Sequence, residues 1–196
     1  MALLSRRPAQ KDGVEPGPRS VGLLTVELLA EFLTPWTAEV PFERMVVMVQ
    51  WEIAERLVAV PSTKDYGALA VLVQSLANVQ LLRRLPPAVF FPRPEVESGI
   101  VLIQPDPVKR AQVGDVRRLR NFLRDLYTHR RKNLRGALLG FHGRPFGKEE
   151  VDAKLAELGI AGQVRAEALD VAQHHRLCAV FGSPTRNDQI PMTNDQ

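Results

Sequence analysis

An α/β sheet domain followed by a smaller all-α domain is the fold class this sequence predicts, on three observations. The run RMVVMVQ (44–50) is apolar without polar alternation, the pattern of a strand covered on both faces in a parallel sheet. It leads directly into WEIAERLVAV, where Ile53, Ala54, Leu57 and Val58 recur at helical spacing until Pro61 stops the helix. After Val113 the strand signals cease, and apolar residues fall on helical stripes instead.

Taken in order, residues 1–20 (MALLSRRPAQKDGVEPGPRS) are broken by Pro and Gly and are expected to be a disordered tail. VGLLTVELLAEFL (21–33) predicts a helix ended by Pro35, with Glu27 and Glu31 four apart on one face. After the strand and helix already described, the turn Ser62–Asp65 precedes a second helix, YGALAVLVQSL. NVQLLRRLPP and VESGIVLIQP then predict two further strands. The loop joining them, PPAVFFPRP, holds Pro86, Pro87, Pro92 and Pro94, which fix φ and restrict the residues before them, so it should be stiff. The sheet domain is expected over 21–106.

The helical domain is expected over 112–182. Leu119, Phe122, Leu123 and Leu126 share one stripe with arginines opposite, and a break near Tyr127–His129 starts a second basic helix that Gly140 ends. KEEVDAKLAE before Gly159 predicts a short helix, and Asp170 with Gln173 forms a capping pattern for the helix reaching Phe181. Residues 183–196 are expected to be a second disordered tail.

The 26 Lys and Arg against 22 Asp and Glu give a net charge of +4, too mild an excess to imply a nucleic-acid partner. Its distribution says more. Arg117, Arg118, Arg120, Arg124, Arg130, Arg131, Lys132 and Arg135 crowd a span whose one acid is Asp125. Such a run is either a solvated helix face or a phosphate-binding surface, and the local imbalance favours RNA. The single cysteine, Cys178, has no partner for an internal disulfide and sits on an apolar stripe, where packing is expected rather than reactivity. No secretory signal or membrane-length apolar run occurs, so a cytoplasmic location is expected. His174 and His175 would point about 100° apart on a helix and cannot share a metal, so no metal is expected.

PFERMVVMVQWEIAERLVA, YGALAVLVQ, LPPAVFFPRPEVESGIVLI, LRDLYTHRRKNLRGAL and GQVRAEALD, in that order, resemble motifs of the ribosomal RNA adenine dimethyltransferases. The resemblance covers roughly 40–181. It implies the distal part of a seven-stranded class I methyltransferase (Rossmann-like) sheet, followed by a small helical rRNA-binding domain. It also implies S-adenosylmethionine-dependent N6 dimethylation of small-subunit rRNA adenines in ribosome biogenesis. Phe90 aligns with the family aromatic that stacks on the flipped-out adenine. By residue type alone, Phe90 and Phe91 read as anchors of the loop in the core, and the resemblance reassigns Phe90 only. The helix with Arg130, Arg131, Lys132 and Arg135 is similar to the family's RRK-containing helix and implies contacts to rRNA phosphates.

Some positions depart from the family. Trp51 stands where the family usually has Lys or a similar polar residue, a change expected on a helix surface. No G-x-G loop follows a strand, no acidic strand end awaits a ribose, and the Asn-Leu-Pro-Tyr tetrapeptide is absent. The expectation is a truncated or disrupted gene product that does not bind S-adenosylmethionine alone. The alternatives are a non-catalytic RNA- or ribosome-binding module and a helical module that meets an acidic protein. Without the upstream half of the sheet, Met45–Val49 is expected to be an exposed apolar edge that promotes self-association.

Overall fold

The computed structural model describes residues 2–6, 42–141 and 146–182, and they divide into two compact units, 1–112 and 113–196. The expected helix over 21–33 and the tail 183–196 lie outside the described residues.

Unit one holds a four-stranded sheet in the order β1-β2-β4-β3, with β1 at Ala2–Arg6, β2 at Phe42–Gln50, β3 at Ala77–Leu85 and β4 at Ser98–Pro105. Every neighbouring pair is antiparallel, with Val47 opposite Val101 and Val101 opposite Leu81. This corrects the parallel surroundings expected for β2. It and β3 do run the same way, but β4 lies between them in the opposite sense. Helices α1 (Trp51–Val58) and α2 (Ala68–Gln74) make the crossover from β2 to β3.

The core of this unit is set by strand alternation. Met45, Val47 and Val49 of β2 and Val101 and Ile103 of β4 are buried, as are Ala54 and Leu57 of α1 and Ala70 to Val73 of α2. Gly99 allows the closest approach, since a Cβ there would lie 2.5 Å from that of Ala54. The two helices are tied as well as packed. The Gln74 amide donates to the Leu57 and Ala59 carbonyls at 3.0 and 2.9 Å, groups the end of α1 leaves without helical partners.

The outer edge of β2 is not free. Ala2 to Leu4 of β1 pair with Val47 to Met45, so a stretch expected to be disordered supplies the neighbouring strand. The edge expected to be exposed along Met45–Val49 is therefore covered by β1 at Met45, Val46 and Val47.

A seven-residue helix, α3 (Pro107–Val113), leads to the boundary and is capped by Asp106, whose carboxylate accepts from the Val108 and Lys109 amides. Unit two contains α4 (Val116–Thr128), α5 (Leu134–Leu139), α6 (Lys148–Glu157) and α7 (Val171–Phe181). Asp115 caps α4, Asn133 caps α5, and Asp170 with Gln173 closes a capping box on α7. Leu119, Phe122, Leu123, Leu126, Leu134, Leu138, Val151, Leu155, Leu177 and Phe181 form its core.

Candidate nucleic-acid interface

Two surfaces carry the residues singled out in the sequence, one on each unit. The first is the loop between β3 and β4. Its base is clamped: Arg84 pairs with Glu97 and lies 4.3 Å over the Trp51 ring, while the Trp51 amide donates to the Glu97 carbonyl at 2.8 Å. Trp51 is half-buried in this clamp rather than on a bare helix surface. Beyond it, Pro87–Val89 make one 3-10 turn, closed by the Phe90 amide on the Pro87 carbonyl at 3.2 Å. Phe90 is half-buried, whereas Phe91 is fully exposed at 102%. The reading of Phe91 as a core anchor is therefore corrected. Successive side chains of extended backbone point to opposite sides, so one of two adjacent phenylalanines turns outward.

The second surface belongs to unit two. Here the arginine-rich span sorts into two groups that a count of its charges does not separate. Arg118 donates to the Ala179 and Gly182 carbonyls at 2.9 and 3.0 Å, closing the end of α7. Arg130 pairs with Glu167 at 2.9 Å. Arg135 makes two parallel hydrogen bonds to Asp152, at 2.5 and 2.6 Å, and this pairing holds the Asp152 carboxyl below the usual carboxylate range. Asp152 and Glu167 lie far along the chain, which is why the span looks nearly free of acids.

The remaining cations face water. Arg117, Arg120 and Arg124 are exposed along α4, and the spacing of three and four residues puts them on one stripe. Among the described residues, the one of these three whose side chain makes an ion pair is Arg124, with Asp125 at 3.5 Å. Sequence reasoning placed these three in the basic span but not among the binding residues, although their spacing carried the signal. Arg131 and Lys132 are exposed in the turn after α4 and make no ion pair among the described residues. That turn is pinned on several sides. A His129 ring nitrogen lies 3.1 Å from the Gly140 carbonyl, Asn133 bonds Gln163 at 3.1 Å, and the Leu134 and Arg135 amides donate to Val164 and Gly162. Arg131 and Lys132 are thus presented from a fixed backbone, which limits the ordering cost of binding an anion.

Behind this face His174 is fully buried, 3.3 Å from the Tyr127 hydroxyl and stacked on its ring. Its Nδ1 lies 2.8 Å from the Asp170 carbonyl, which can only accept, so Nδ1 carries the proton and Nε2 faces Tyr127 as an acceptor. Burial pushes the imidazole down from 6.5 to about 4. Between these values the unfolded chain binds a proton that the native state refuses, so stability is complete above about pH 6.5 and falls toward pH 4. Wild type should lose about 2–3 kcal/mol relative to His174→Gln between pH 7 and pH 4.5. Chemical denaturation of both chains at the two pH values measures this, and a pH-independent difference would contradict it.

Cys178 is buried, and burial pushes its thiol up to about 11, the behaviour of a packed side chain. Among the described residues no group of three His, Cys, Asp or Glu comes together as metal ligands, and no helix is long and apolar enough to cross a membrane.

The β2–α1 junction does not fit S-adenosylmethionine. A sheet methyltransferase holds it on a glycine-rich strand-to-helix turn with free helix amides. In the β2–α1 junction, Gln50 and Trp51 are adjacent, no glycine intervenes, and the Trp51 amide is already bonded to Glu97.

The ribosomal RNA small subunit methyltransferase A of Levilactobacillus brevis is 37% identical over 143 residues, 72% of this chain and 48% of that protein. The protein of the same name from Synechococcus sp. (strain JA-3-3Ab) is 43% identical over 130 residues, 66% of this chain and 45% of that protein. The chain thus spans about half the length of the curated relatives it matches. The crystal structure of a dimethyladenosine transferase from Plasmodium falciparum shares the fold, with a TM-score of 0.65 at 22% identity over 79% of this chain and 62% of that one. The expected fold class therefore holds. With a match to the model of the ribosomal RNA adenine dimethylases over residues 19–182, the chain belongs to that family.

Proposed function

We propose that this chain carries the distal sheet half and the rRNA-binding helical unit of an enzyme that dimethylates N6 of adenines in small-subunit rRNA. S-adenosylmethionine is the methyl donor of that chemistry. In this reading Arg131 and Lys132, joined by Arg117, Arg120 and Arg124, contact RNA phosphates. Arg130 and Arg135 instead pair with Glu167 and Asp152. Phe90 stacks on the extruded adenine. The observation that carries the proposal is the set of five exposed basic side chains on α4 and the pinned turn after it, in a chain of this family.

A second reading, a non-catalytic RNA- or ribosome-binding module, is favoured by the β2–α1 junction, which offers no place for the methyl donor. Both readings require RNA binding. Fluorescence anisotropy with a labelled small-subunit rRNA hairpin tests it across salt concentrations. Saturable binding that weakens steeply as salt rises is expected. Absent binding, or affinity indifferent to salt, would contradict both.

A further inference from the structure

Phe91 is the most exposed large apolar side chain described, and neither the fold nor the proposed stacking at Phe90 uses it. An aromatic ring left wholly in water gives up a large apolar burial, so a packing explanation fails for it. Nor can it turn inward readily. Pro86, Pro87, Pro92 and Pro94 fix their own φ, Pro92 restricts Phe91 itself, and the Arg84–Glu97–Trp51 clamp holds the loop's base. Val89, 60% exposed, adds apolar surface to the same loop.

The charges carried by the loop and its base suggest the partner. Arg93 in the loop and Arg83 at the end of β3 are exposed and make no ion pair among the described residues. They outnumber Glu95, since the other carboxylate, Glu97, is held by Arg84. An exposed aromatic in a stiff loop that carries exposed cations fits unpaired nucleotides, whose bases stack on the ring while their phosphates meet the arginines.

We propose that Phe91 is a second stacking platform, which takes an unpaired base next to the adenine at Phe90. The inference rests on the rRNA-binding reading. It makes the loop a two-base reader of single-stranded RNA.

The test uses the full chain with two RNAs: a hairpin whose loop carries two adjacent adenines, one replaced by fluorescent 2-aminopurine, and a fully paired duplex. Phe91→Ala should weaken hairpin binding about tenfold and abolish the base-stacking quench at one of the two loop positions. Phe91→Trp should restore both. Duplex affinity and thermal stability should not change, because the side chain touches no core. Unaltered hairpin affinity and quench in Phe91→Ala would overturn the inference. If the duplex still binds through Arg131 and Lys132, the rRNA reading survives that result. Failure of the chain to bind either RNA would overturn both. A change in sedimentation without a change in RNA affinity would assign Phe91 to a protein contact and overturn the base-stacking role.

Discussion

Phe181→Ala should destabilise the helical unit by about 3–5 kcal/mol, a large part of what holds a domain of this size together. Phe181 is fully buried at the end of α7 and meets the Phe146 ring edge to face at 5.2 Å. Truncation removes that contact and leaves a cavity in a core whose helices α4 and α7 are held by their caps. Because the Arg118 hydrogen bonds to Ala179 and Gly182 depend on α7 ending in place, the end of that helix should loosen with the core. Denaturant unfolding followed by circular dichroism measures the loss. A change below about 1 kcal/mol would mean that this helix end contributes little to the core.

Reversing charge on the outward face should have the largest effect on binding. The triple change Arg120→Glu, Arg131→Glu and Lys132→Glu is expected to lower affinity for small-subunit rRNA at least about 100-fold near 0.15 M salt, by losing phosphate contacts and adding repulsion. All three side chains are exposed, so the fold should survive. Arg135→Ala serves as the contrast: its charge is spent on Asp152, and affinity should stay within about twofold of wild type, since an exposed ion pair contributes little to the fold. Equal losses in the two variants would return Arg135 to the RNA surface and undo the sorting of the arginines.

Where the chemistry was local, the sequence announced it. Asp170 and Gln173 three residues apart did form a capping box, Gly140 did end α5, and the apolar stripe of α4 did face the core. Asp106 followed by Pro107 carried the same kind of signal, a cap and a first-turn proline, for a helix that was not anticipated. What escaped was long-range. Asp152 lies 17 residues from Arg135 and Glu167 lies 37 from Arg130, so a tally of charges along one span sees free cations where the fold has made ion pairs. Ala2–Arg6 has too few residues to show strand periodicity, and only its pairing with β2 makes it a strand. Phe90 and Phe91 are identical in type, and the backbone alone decides which is left outside.

The central claim is that the exposed cations of α4 and the turn after it grip RNA through its phosphates. The most direct measurement is the slope of log affinity against log salt for wild type and for Arg120→Ala, Arg131→Ala and Lys132→Ala combined. Each cation that contacts a phosphate should take roughly 0.7–0.9 from the slope when removed, so the triple variant should be flatter by roughly 2–3. A variant that binds more weakly with the wild-type slope, or binds just as well, would contradict the claim.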